Sequence, residues 1–134
     1  NTATVEHVEI YHRKGSHRNY ERRPGAWTKL NVHDIAIPVQ GHGLVDQEYT
    51  PLPPNSFDPI IVTPGEVHSF YIALTTSSNL VYSVGNSNAI DGESIVAQNS
   101  DLAVMQGVGK RQLFAGTFKH CRWNGVVEYE QVRL

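Results

Sequence analysis

Between Val67 and Leu74 the chain alternates without a break: His68, Phe70, Ile72 and Leu74 fall on one side, Val67, Ser69, Tyr71 and Ala73 on the other. A period of two is the mark of a strand, because successive side chains leave a pleated backbone on opposite faces. Both sides here are substantially apolar, which predicts a central strand covered on both faces rather than an edge. Elsewhere glycine and proline remove the main alternative. Gly41, Gly43, Pro51, Pro53, Pro54 and Pro59 leave no room for a long helix between Gln40 and Pro59, and that region reads as an extended crossing between two sheets.

The other segments repeat the pattern more weakly. Thr4 to Tyr11 reads as a first strand with Val8 and Ile10 facing a core and Glu9 pointing away. Gly15 to Gly25 is a polar, basic loop with a turn at Pro24-Gly25. In a second strand region, Trp27 to Val39, Leu30 and Val32 share one face, Ile35 and Ile37 take the other, and Asp34 marks a bulge or switch. Pro38 places the end of that strand at an edge, since proline has no N–H for a central ladder. Ile60 to Thr63 reads as a short strand before a turn at Pro64-Gly65, and Leu80, Tyr82 and Val84 as another. Asn86 to Asn99 surrounds a short apolar patch, Ile95 to Ala97, with turn-forming residues.

The last part, Asp101 to Tyr129, reads as the organising stretch. A strand through Leu102 and Val104 ends where Gly107 and Gly109 break the ladder, a compact loop is held by Phe114 and Phe118, and a strand from Arg122 to Val132 closes the fold, with Trp123, Val127 and Tyr129 nearly on one face. Seven or eight short strands with turns between them predict a single domain over 1–134: an antiparallel β-sandwich, jelly-roll or immunoglobulin-like. No apolar run approaches the ~20 residues that span a bilayer, so no membrane insertion is expected.

Charge narrows the partners. A net charge of −2 argues against a dedicated nucleic-acid binder. Its distribution is uneven, however: Arg13, Lys14, Arg18, Arg22 and Arg23 stand close together against Glu21 alone, with His12 and His17 among them. Such a cluster is either a solvated loop or a contact for anions and acidic polysaccharide, and Tyr11 and Tyr20 are available to stack or hydrogen-bond beside it. Arg13, Lys14, Arg18, Tyr20 and Trp27 are the candidate ligand-binding residues. Trp27, just after the loop, is expected to be partly exposed and to stack on a sugar face, whereas Trp123 is expected in the core.

Catalytic signatures are weak. Cys121 is the single cysteine. Its neighbour His120 would lie on the opposite face of a regular strand, so a buried or intermolecular thiol is preferred to a nucleophile. Seven histidines, His7, His12, His17, His33, His42, His68 and His120, are scattered without the H-x-H or H-x3-H pairs that seed metal sites. Pro64-Gly65-Glu66-Val67-His68 matches part of the second metal motif of cupin barrels, but the first motif is missing, and His68 is more economically a strand residue beside Phe70. The oxygen-rich loop Asn86, Asn88, Asp91, Glu93 and Asn99 could hold calcium, yet its spacing is not that of an EF-hand. None of Asp46, Glu48, Asp91, Glu93, Glu128 and Glu130 sits among other cues for glycoside cleavage. No catalytic residue, metal or cofactor is expected.

Six stretches in order, Y-H-R-K-G-S-H-R-N-Y-E (11–21), A-W-T-K-L (26–30), P-L-P-P-N-S-F-D-P-I (51–60), P-G-E-V-H-S-F-Y-I-A-L (64–74), D-L-A-V-M-Q-G-V-G-K-R-Q-L-F (101–114) and R-W-N-G-V-V-E-Y (122–129), are spread over nearly the whole length of the chain. Together they resemble a module of secreted or surface proteins of diatoms and other algae and of some bacterial exported proteins, with G-V-G-K-R and R-W-N-G-V the most specific parts. The resemblance implies a place outside the cell and a role in adhesion, matrix assembly or carbohydrate contact, and it carries no catalytic residues with it. The expected function is a non-catalytic module that binds a glycan or a neighbouring protein of the cell surface. Two other readings are a structural subunit that self-assembles into a filament, and a metal-dependent enzyme with a site built from histidines.

Overall fold

The computed structural model describes residues 4–39, 50–76, 82–110, 114, 117–123 and 126–132. Nine strands lie among them: β1 (Thr4–Lys14), β2 (Thr28–Lys29), β3 (Ile35–Val39), β4 (His68–Leu74), β5 (Tyr82–Val84), β6 (Ile95–Gln98), β7 (Ala103–Met105), β8 (Gly107–Lys110) and β9 (Thr117–Trp123). All pairings are antiparallel, and the only helical element among the described residues is a 3-10 turn at Pro24–Ala26. The all-β reading is correct. No described helix is long and apolar enough to cross a membrane.

The organising element is β1 rather than the C-terminal stretch. It pairs with β2 and β3 in line along one edge and with β4 along the other. Because β4 pairs with β1 alone among the described residues, it is an edge strand there and not the central one. Alternation marks which side chains share a face and does not say whether a strand is flanked on both edges; the faces of β4 are only partly covered, with Phe70 48% exposed.

β2 and β3 would be one strand but for the residues between them. Tyr11 faces Lys29 while Val8 faces Ile35, so the register slips by an odd number of residues across Asn31–Asp34. An odd slip reverses which alternate side chains point to the core. Leu30 therefore packs on the same cluster as Ile35 and Ile37, contrary to the expected division of faces, and Val32 is 91% exposed. Asn31 fills the gap in the ladder. Its Oδ1 accepts the Ile10 N–H at 3.0 Å and its Nδ2 donates to the Val8 and His33 carbonyls at 3.3 and 3.1 Å.

The two faces of this sheet have different chemistry. One holds the buried Val8, Ile10, Ile35 and Ile37, with the partly buried Leu30, Phe57, Ile72 and Leu74 against them; full burial of a side chain like those first four stabilises by about 1.5–3 kcal/mol. The other is aromatic. Tyr71 meets Tyr11, Trp27 and Phe114 at centroid distances of 6.0, 5.6 and 5.0 Å, mostly edge to face, and the Phe114 N–H donates to the Tyr71 hydroxyl at 2.9 Å. Phe114 follows β8 in the chain, so it ties that region to the first sheet. Burial, with the Glu9 hydrogen bond behind it, pushes the Tyr11 hydroxyl up to about 12.

β5, β9 and β8 form the second sheet, and β6 and β7 a hairpin closed by Asn99, whose Oδ1 accepts the N–H groups of Asp101 and Leu102. Several expectations fail in this half. Gly107 and Gly109 lie within β8 instead of ending a strand, and the closing strand is Thr117–Trp123, well before the expected Arg122–Val132. Val127 and Tyr129 are exposed, outside any strand. Tyr129 instead donates to Asp101 at 2.7 Å and accepts from Asn99 at 2.8 Å, pinning the tail to the hairpin turn. Ile60–Thr63 is likewise not a strand, with Ile61 79% exposed. The first half of the crossing, residues 40–49 with His42, Asp46, Glu48 and Tyr49, lies outside the described residues, as do Leu80 and the side chains of Tyr82, Phe118 and Trp123.

Candidate functional site

β1 continues three residues beyond its expected end because Arg13 and Lys14 pair with Ser69 and His68 on β4. Gly15 then turns the chain with φ near 107°, a conformation that suits glycine. The turn is fastened to β4 by Gly15 N–H donating to the Val67 carbonyl and by the Ser69 hydroxyl donating to the Gly15 carbonyl, both at 2.7 Å. Short turns follow, with Tyr20 N–H donating to His17 and Arg23 N–H to Tyr20, each at 3.0 Å. They fold the basic loop back over the end of β1.

This brings together three of the five expected contact residues. The Arg13 guanidinium lies 3.4 Å from the Tyr20 ring centroid, its Nε donating to the Ser16 carbonyl at 3.1 Å, and Arg23 approaches the same ring at 5.8 Å. The Trp27 Nε1–H donates to the Tyr20 carbonyl at 2.8 Å. Trp27 is only 8% exposed, however, its ring edge-on to Tyr71, which corrects the expectation of a partly exposed ring that stacks on a sugar. The position after a turn suggested exposure; the pairing of β2 beside β1 instead rotates the indole onto the aromatic face. Trp27→Phe keeps most of that packing and removes one donor, so a loss of about 1 kcal/mol in a urea melt is expected.

Lys14 and Arg18 are held elsewhere. Lys14 lies on the opposite face of β1 from Arg13 and reaches Glu66 Oε2 at 2.7 Å, and Arg18 reaches Glu93 Oε1 at 2.8 Å. Arg22 and Arg23, counted in the basic cluster but not singled out, are exposed and make no ion pair with a described carboxylate. Their adjacency in sequence was the available signal.

The histidines fall into separate small groups. His7 meets Asp34 at 2.6 Å, His17 meets Glu21 at 3.2 Å, His120 meets Asp91 at 3.3 Å, and His12 meets His68 at 2.8 Å. No group of three His, Cys, Asp or Glu side chains placed to hold a metal occurs among the described residues. In the oxygen-rich loop, Asp91 accepts from Gln106 Nε2 at 2.9 Å and from the His120 N–H at 3.2 Å, while Asn86 Oδ1 accepts from the Asn88 N–H at 2.9 Å. These oxygens turn toward the chain's own donors. Burial works to raise the Asp91 carboxyl, but the hydrogen bonds from Gln106 and His120 outweigh it and hold the group below its usual value. Cys121 is buried, and burial together with the Asp91 charge pushes its thiol up, away from the thiolate a nucleophile requires.

The fold and site define an all-β protein with a basic loop laid across the end of its first strand. No protein-family model, curated protein sequence or solved structure matches the chain.

Proposed function

We propose that this chain is a non-catalytic binding module of the cell surface or extracellular space whose basic loop takes the acidic groups of a polysaccharide. One observation carries the reading: Tyr20 is fixed by Arg13 on its ring and by Trp27 at its carbonyl, with Arg23 beside it and Arg22 adjacent, both exposed and without a described carboxylate partner. Paired guanidinium forks suit carboxylate and sulfate oxygens, and they bind best when the support beneath them is rigid. The roles differ from those the sequence suggested. Arg13 and Trp27 hold Tyr20 in place and Arg22 and Arg23 meet the anion, while Lys14 and Arg18 are compensated by Glu66 and Glu93 and take no direct part. The frame we propose is a β-sandwich, its first layer the sheet around β1 and its second the sheet around β9, with Phe114 on Tyr71 as a point of contact between them. The resemblance to secreted and surface modules supports the location.

The test is binding to dextran sulfate and to a neutral dextran at two salt concentrations. Salt-sensitive binding to the sulfated polymer alone is expected, and Arg22→Ala with Arg23→Ala should weaken it about ten-fold, or about 1.4 kcal/mol, a modest effect because the site is exposed. Unchanged affinity in the double variant would overturn the assignment. The reading as an assembly subunit has one observation in its favour, the β4 edge with no strand partner among the described residues. Concentration-dependent self-association without polysaccharide binding would support it instead.

A further inference from the structure

His12 and His68 are diagonal neighbours across the β1–β4 pair, on the face that also carries Lys14. His12 Nε2 and His68 Nδ1 lie 2.8 Å apart, the ring centroids are 5.0 Å apart and the planes are inclined by 25°. That centroid separation is close to the N···N distance extended by the two ring radii, so the imidazoles meet edge to edge rather than face to face. This is the geometry of a proton held between two nitrogens. A metal ion bound to both would need each lone pair turned off the N···N line toward a point ~2.0–2.1 Å from each nitrogen.

The direction of each hydrogen bond in the chain is fixed from its far end. Glu66 takes the Lys14 ammonium on Oε2 at 2.7 Å and the Thr63 N–H on Oε1 at 2.9 Å, contacts that hold its carboxyl well below the usual range. An ionised carboxylate only accepts, so the His68 Nε2 that faces it at 3.2 Å carries a proton. In neutral His68 the Nδ1 is then a lone pair, His12 Nε2 donates to it, and His12 Nδ1 is left as the basic atom. A first added proton goes to His12 Nδ1 and disturbs none of these bonds. A second must go to His68 Nδ1, where it meets the His12 N–H head on.

We infer that Lys14, Glu66, His68 and His12 form a proton-operated latch, closed with up to one added proton on the histidine pair and opened by the second, which frees the start of β4 from the end of β1. The surroundings of the pair add no other described charge. β2 presents Thr28 opposite His12, β4 presents Phe70 at 5.3 Å from its ring, and Arg13 and Lys29 lie on the other face of the sheet. Burial, then the neighbouring His68, holds His12 below its ordinary value. A histidine whose folded value is depressed is favoured neutral in the fold, so the contribution of neutral His12 is present above the ordinary histidine range and is lost as the pH falls through its folded value, with the first proton and before the second parts the rings. Gly15, fastened to Val67 and Ser69 on either side of His68, sits next to the latch and opens the basic loop. Any effect on polysaccharide binding rests on the function proposed above; the latch itself does not.

The experiment is a nitrogen-15 NMR titration of the histidine rings in the full chain from pH 8 to 4.5, with hydrogen-exchange protection of the Gly15 amide followed alongside. Two coupled steps separated by more than about one pH unit are expected, with protection at Gly15 falling about ten-fold across the second. In His12→Gln the amide stands in for Nε2 and can rotate to accept a proton from His68, so Gly15 protection should persist into acid. Independent titration of the two rings at ordinary values in the unaltered chain, or the same loss at Gly15 in His12→Gln, would overturn the latch. The titration of the unaltered chain decides the matter even if the variant fails to fold, and neither readout involves polysaccharide, so failure of the binding reading is a separate result.

Discussion

Asn31→Leu should lower the unfolding free energy by about 3–4 kcal/mol, read as a fall in the urea midpoint without a change of slope. The side chain is 3% exposed and bridges the interruption between β2 and β3, taking the Ile10 N–H and donating to the Val8 and His33 carbonyls. Leucine has nearly the same volume, so little packing is lost. What remains is a buried N–H and carbonyl of β1 without partners, each costing about 1–3 kcal/mol. Asn31→Asp should do no better: it keeps the acceptor but sets a carboxylate against two carbonyl oxygens. A loss below about 1 kcal/mol for leucine would show that water reaches the gap and that the asparagine is not what closes the ladder.

Gly85→Ala is the second substitution expected to cost about 3 kcal/mol or more. A Cβ built there overlaps Gln106 Oε1 and lies 2.5 Å from Gln106 Cδ and 3.0 Å from the His120 carbonyl. Neither side can yield cheaply. The Gly85 N–H already donates to that carbonyl at 2.6 Å, and Gln106, 1% exposed, is bonded on both sides of its amide. Its Oε1 accepts the Asn86 N–H at 2.8 Å and its Nε2 donates to the Asn86 carbonyl and to Asp91. Pushing the amide aside leaves buried polar groups unpaired. A double-mutant cycle with Gln106→Ala separates the causes. If the clash is with the glutamine, the two losses combine to much less than their sum; simple addition would mean that the alanine disturbs only the backbone beside His120.

The sequence exposed the periodic parts of this fold and hid the parts set by register. The alternation of Val8 and Ile10 and of His68 to Leu74 found β1 and β4 and assigned their faces correctly. It could not show which was central, because that depends on hydrogen bonds between segments far apart in the chain. The switch near Asp34 was legible as a break in pattern, but not that an odd slip would put Leu30 with Ile35 and Ile37. In the C-terminal half, Gly107 and Gly109 carried too strong a turn signal: both sit in β8, opposite a β9 that absorbs the irregularity through the left-handed backbone of His120. For the site, the basic cluster was visible as composition. Its division into Arg13 on Tyr20, Lys14 on Glu66 and Arg18 on Glu93 was not, since adjacent residues of a strand face opposite ways and their partners come from three different segments.

The placing of β1 also has a consequence for how the chain acquires its structure. Val8 meets Ile35 after a short stretch of synthesis but must wait for Leu74, so β1, made before all of its partners, is completed late, and one of its edges stays open while the crossing region emerges. Pairings between such distant segments slow folding and expose sticky edges in the interval. Truncated chains ending shortly before His68 would carry that open edge permanently, and aggregation should drop once the chain extends through Leu74.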